Sequence, residues 1–253
     1  MKMHMLSGGR LRMRRNVYHP NAAPDEMLDL PVSSFLLRHA DGNALFDTGC
    51  HPDIAKDAES RWGTMARFMT PMMEEGDHLL NALACVGLGP DDIDIVVCSH
   101  FHTDHCGCNQ FFRKATILVH AEELAAARAP QARKAGYLPE DWDHPIPLKT
   151  VADGFDVFGD GRMRLVHLPG HTPGLMGAHV RLDRDGDFLL VSDAVSVRAN
   201  LDENVAPRPT WNVEKCLESY ARVRDIERGG ATIVCGHDDA QWRTMRKGAA
   251  FYE

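Results

Sequence analysis

Six consecutive positions, His100 to His105, carry three imidazoles and a carboxylate: His100, His102, Asp104 and His105. Imidazole nitrogens and carboxylate oxygens are the usual ligands of divalent ions that acidify water and polarise carbonyl groups. In an extended segment, residues two apart point to the same side, so His100 and His102 can close on one ion. After a bend, Asp104 and His105 can face a second. A lone histidine is ordinarily a hydrogen-bonded packing residue, but so dense a pattern asks for a metal. Three more candidates stand where apolar runs end: His171 in LPGHTPG, Asp193 after DFLLV and His237 in CGHDD. Cys106 and Cys108 flank Gly107 beside the cluster. The histidines and carboxylates already fill two sites without them. The other histidines, among them His4, His51, His120 and His167, have no such setting and read as surface or packing residues.

These groups need strand ends to hold them. Val32 to Asp47 reads as a hairpin turning at Asp41-Gly42, and GAHVRL with DFLLVSD as a second turning at Asp185-Gly186. Asp77 is placed to cap a helix whose Leu79, Leu80, Leu83 and Val86 share one face, with Gly87 as its stop. A strand from Ile93 to Cys98 runs into the histidine cluster, and TILVHA, MRLVHL and ATIVCG read as further strands. AEELAAARA and Asn212 to Arg228 read as helices, the latter stopped by Gly229-Gly230. Hairpins followed by alternating strands and helices imply helices layered on sheets. No linker or repeat divides residues 1–253, so a single domain is expected.

Composition narrows the partners. With 44% hydrophobic and 25% charged residues the chain supports one sizeable core, and no apolar run reaches the roughly 18 residues of a membrane span. Lys+Arg 28 against Asp+Glu 36 leaves a net charge of -8, which argues against nucleic acid. Seven irregularly spaced cysteines do not read as a disulfide framework, and MKMHMLSGGRLRMRR lacks the apolar core of a secretory signal. A cytoplasmic location is expected.

The run His100-Phe101-His102-Thr103-Asp104-His105, with Asp47-Thr48-Gly49 before it and His171, Asp193 and His237 after it, resembles the metallo-β-lactamase superfamily. The resemblance implies an α/β fold, an αββα sandwich with its metal site at one edge of the two sheets. LPVSSFLL, LFDTG, SHFHTDHCG, LPGHTPG, SDA and CGHD follow in order as in N-acyl homoserine lactonases, the quorum-quenching lactonases. By that resemblance His100, His102 and His171 hold one ion, Asp104, His105 and His237 the other, and Asp193 bridges them. Asp47 would orient the ligands from behind. Two divalent ions are implied, with zinc expected. They would lower a bound water's pKa towards ~7, giving a bridging hydroxide that attacks the lactone carbonyl while one ion polarises it. Asp104 would then pass a proton to the departing alkoxide. Asp104 and Asp193 are therefore the expected catalytic carboxylates.

The substrate is a small lactone, with N-acyl homoserine lactones first and a pyridoxolactone-type ring as the alternative. A glyoxalase II-like thioesterase fits less well, because it carries a C-terminal helical extension and little chain follows His237. Residues 59 to 75 look loop-like but gather Trp62, Met65, Phe68, Met69, Met72 and Met73. They read as an apolar lid lining an acyl groove, as a contact between the copies of a homodimer, or as the core packing of a short helix. One departure stands out. The lactonases place a tyrosine three residues after the bridging aspartate, to hold the lactone carbonyl, and here Ser196 occupies that position. Tyr137 in ARKAGYLPEDWDH, or the ions alone, would supply the missing stabilisation.

Overall fold

Side chains alternate along a strand, and this chain uses the alternation to give two sheets two apolar faces each. The computed structural model describes residues 1–253. The larger sheet holds β1 (Lys2–Arg14), β2 (Met27–His39), β3 (Gly42–Phe46), β4 (Thr70–Pro71), β5 (Ile95–Val97), β6 (Thr116–His120) and β7 (Leu148–Val151). Its order is β4-β1-β2-β3-β5-β6-β7, antiparallel from β4 to β3 and parallel from β3 to β7. The smaller sheet holds β8 (Met163–His167), β9 (Met176–Leu182), β10 (Gly186–Ser192) and β11 (Thr232–Cys235) in the order β11-β10-β9-β8.

Between the sheets lie Phe35, Leu37, Ala44, Phe46, Val97 and Leu118 from one and Leu165, Ala178, Val180, Leu190 and Val234 from the other. Their sequence neighbours Leu36, Leu45, Val96, Ile117 and Val119 face outwards, under α2 (Leu79–Cys85) and the segment following the histidine cluster. On the far side Val166, Leu189, Val191 and Ile233 lie under Cys216, Tyr220 and Val223 of α7 (Val213–Arg228). The result is the expected αββα sandwich. No helix is long and apolar enough to cross a membrane.

Both hairpins form where expected. α7 is capped by Asn212, whose side chain accepts from the Lys215 N–H. Asp77 does not cap α2: His78 takes that position without a side-chain bond, and Asp77 accepts from Ser7 Oγ instead. The expected strand from Ile93 shortens to β5, because the turn at Pro90–Asp92 delays pairing. β7 has no apolar alternation to announce it, since it lies at the sheet edge with Lys149 and Thr150 exposed. Residues 59–75 are not a loop. They complete α1 (Ile54–Trp62), make a 3₁₀ turn over Gly63–Arg67, and pair with β1 through β4.

Candidate metal centre

All seven expected ligands arrive at one rim, where strands end. β5 runs into His100, β8 into the loop carrying His171, β10 into Asp193 and β11 into His237. His102 precedes α3 (Thr103–Cys106), a single turn that presents Asp104 and His105. Two triads result, His100–His102–His171 and Asp104–His105–His237, and within each the ligand atoms lie within 4.8 Å of one another. Asp193 sits between them. Its Oδ1 is 2.9 Å from His237 Nε2 and 3.6 Å from His105 Nε2, and its Oδ2 is 3.4 Å from His171 Nε2. Asp104 Oδ2 is 3.6 Å from both His105 Nε2 and His237 Nε2.

A metal-bound imidazole normally spends its other nitrogen on a hydrogen bond, which fixes its ring orientation. Here His100 Nδ1 meets Ser99 Oγ at 2.9 Å, His105 Nδ1 meets Asp47 Oδ2 at 2.9 Å, and His237 Nδ1 meets the Pro31 carbonyl at 2.9 Å. His102 is reversed, with Nε2 at 2.9 Å from the Ala135 carbonyl, so Nδ1 turns inward to 2.9 Å from His171 Nε2. Of the nitrogens left over, His100 Nε2 and His105 Nε2 are buried without hydrogen-bond partners, and His237 Nε2 faces only Asp193 Oδ1, 2.9 Å away. Unpaired buried polar atoms are costly, and convergent ones of this donor type fit a pair of divalent ions.

Charge divides the donors. Burial pushes His100 down and His102 down to about 3, with the neighbouring imidazoles adding to the effect. For His105 burial opposes the charge, but Asp104, Asp193 and then Asp47 outweigh it and raise its pKa to about 10. His237 is raised against its burial by Asp193 and Asp104. In an ion-free donor set His105 therefore keeps its proton above neutral pH, and a metal ion must displace it.

Behind the ligands stands Asp47. It accepts from the Ser99 N–H at 2.7 Å, Ser99 Oγ at 2.8 Å, His105 Nδ1 at 2.9 Å and Ser192 Oγ at 3.2 Å. Asp47 and Ser192 both adopt positive φ, 61° and 47°, a strain tolerated where a site over-determines the backbone. The space is closely filled: a Cβ on Gly49 would fall 2.4 Å from Gly8 Cα, and one on Gly236 2.6 Å from Asp193 Oδ1.

Sequence reading missed several supports. Glu123, fully buried on α4 (Ala121–Ala127), accepts from the Phe101 N–H at 3.0 Å and the Gly174 N–H at 3.1 Å, joining the two loops that carry the first triad. Asp141, on α5 (Pro139–Trp142), takes Arg61 and, at 2.5 Å, Thr103 Oγ, while Trp62 Nε1 donates to Thr103 Oγ at 2.6 Å. That chain of contacts ties α1 to the turn bearing Asp104. Only Ser99 and Ser192, sitting inside the quoted motifs, gave any local signal.

The apolar candidates separate. Met65, Met69 and Met73 pack with Trp62 around Leu11, Tyr18, Leu30 and Val32, beside the metal centre. Phe68 does not line this cluster: it is 69% exposed, and Met72 is exposed beyond it. Tyr137 is also corrected as a substrate donor. Its ring packs on His102, with centroids 5.2 Å apart, and its buried hydroxyl sits with Glu123 and Thr172, where burial and then the Glu123 charge raise its pKa. Ser196 is buried, and its hydroxyl has no hydrogen-bond partner. Cys106 and Cys108 stay out of the donor set, their thiols pushed up by burial.

The chain is similar in sequence and fold to known proteins. The N-acyl homoserine lactonase AttM of Azorhizobium caulinodans is 30% identical over 260 residues, spanning 100% of this chain and 99% of its own. An N-acyl homoserine lactonase from a Bacillus species is 32% identical over 245 residues, 96% of this chain and 95% of that one. A solved N-acyl homoserine lactone hydrolase, holding the product N-hexanoyl-L-homoserine at its catalytic metal center, superposes with a TM-score of 0.88 at 27% identity. It covers 99% of this chain and 98% of its own. The family model of the metallo-beta-lactamase superfamily matches residues 27–237, a span that takes in Asp47 and all seven converging donors. By donor geometry, by layered fold and by sequence, the chain belongs to the metallo-β-lactamase superfamily.

Proposed function

We propose that this protein hydrolyses N-acyl homoserine lactones with two divalent ions, zinc being the expected metal. The observation that carries the reading is the full-length match to named lactonases, combined with an apolar cluster that abuts the donor set. The cluster meets the donors at defined points. Leu30 and Val32 flank Pro31, whose carbonyl takes His237, and Trp62 donates to Thr103 between His102 and Asp104.

His100, His102 and His171 would hold one ion and Asp104, His105 and His237 the other, with Asp193 shared. Bound there, the ions would supply an acidified water and a polarised carbonyl. The chain's own residues do the rest. Asp47, Ser99 and the Pro31 and Ala135 carbonyls lock the imidazoles, so little reorganisation is needed as charge develops. Asp104 holds the proton that the ring oxygen receives as the ester bond breaks. Met65, Met69 and Met73 adapt to an acyl chain and exclude water from it.

A substrate panel tests this. The zinc-loaded protein should open N-acyl homoserine lactones with kcat/KM depending on acyl length, and leave a pyridoxolactone and a glutathione thioester at least a hundredfold behind. Turnover of either competitor with no acyl homoserine lactone activity would refute the assignment. We also propose a homodimer, because the exposed Phe68 and Met72 leave an apolar patch beside the cluster. Light scattering at high concentration should give twice the chain mass of 28.2 kDa, and a single-chain mass would count against it. All seven cysteines are free, in keeping with a reducing, cytoplasmic setting.

A further inference from the structure

Besides Tyr137, the fold brings a second tyrosine, Tyr18, to the metal centre. It follows β1, is 5% exposed, and its ring meets the His237 ring edge-on with centroids 6.4 Å apart. Its position is fixed from the side that carries Asp193. Asn200 Nδ2 donates to the Tyr18 carbonyl at 2.7 Å, and the Arg208 N–H donates to the Val17 carbonyl at 2.8 Å. The hydroxyl's one partner is the Met13 thioether, 3.4 Å away, a weak acceptor that leaves the O–H available to a better one. Tyr18 itself belongs to the apolar cluster that holds Trp62, the side chain bonded to Thr103 between His102 and Asp104.

Resting on the lactonase reading above, we propose that the Tyr18 hydroxyl donates a hydrogen bond to the substrate's carbonyl oxygen as that oxygen takes on negative charge. The hydroxyl trades its thioether contact for a charged acceptor and keeps its proton throughout, so no bond to it forms or breaks. A donor that gains strength as charge develops acts on turnover more than on ground-state binding.

The test uses the full-length zinc-loaded enzyme and Tyr18→Phe, which keeps the ring and its packing. With N-hexanoyl-L-homoserine lactone, kcat/KM should fall at least tenfold, mostly in kcat. Metal content and thermal midpoint should match the parent. By calorimetry, the affinity for the ring-opened N-hexanoyl-L-homoserine, which presents carboxylate oxygens at the same place, should weaken severalfold. Parental kinetics and affinity in Tyr18→Phe would overturn the proposal, and so would a loss that tracks missing metal. If the parent itself opens no acyl homoserine lactone, the lactonase reading falls and takes this role with it. If only the variant's behaviour is wrong, the role of Tyr18 falls alone.

Discussion

Asp193→Ala is expected to lower kcat at least about a thousandfold, the range lost when a group acting on the developing charge is removed. Asp193 is the one side chain whose two oxygens reach donors of both triads: His237 and His105 through Oδ1, His171 through Oδ2. Removing it would leave each triad alone to hold its ion and would take away the one carboxylate that lies between the two triads. The same variant should therefore retain fewer than two ions at saturating zinc. Asp104→Asn separates the roles further. It keeps the side-chain volume but removes the charge and the proton carrier, so kcat should fall about a hundredfold with KM changed far less. Near-parental turnover from either variant, with its metal content verified, would contradict these roles.

How much of this was legible in the sequence follows from what each feature depends on. The seven donors could be read because ligand chemistry restricts residue type and strand ends restrict spacing; His100 to His105 carry both signals in a single run. The two hairpins and α7 could be read for a similar reason, since turn glycines and apolar periodicity act locally. Glu123 could not. It stands in AEELAAARA among residues that suit any helix surface, and only the packing of two distant loops onto α4 makes it a buried acceptor. Tyr18 was hidden in the same way, lying more than two hundred residues from the His237 ring it meets, in a segment with no motif of its own. Tyr137 was misjudged because proximity to His102 does not say where a hydroxyl points, and Glu123 and Thr172 surround it instead.

Removing the ions is expected to remove all hydrolysis, because the proposed nucleophile is the water that they acidify. The loss should be reversible, since Asp47, the Pro31 and Ala135 carbonyls and Ser99 orient the imidazoles without help from the metal. Acid should act in the same direction as chelation. His105, raised to about 10, and His237, also raised, hold protons that an ion entering their triad must displace, so metal affinity there must fall as pH falls. The most direct measurement is a zinc titration of the metal-free protein, following opening of N-hexanoyl-L-homoserine lactone at each addition and repeating the titration at lower pH. Activity should rise from nothing to a plateau at two ions per chain, and the acid titration should need more free zinc to reach it. A plateau at one ion per chain, or activity that survives verified metal removal, would contradict a dinuclear hydrolase.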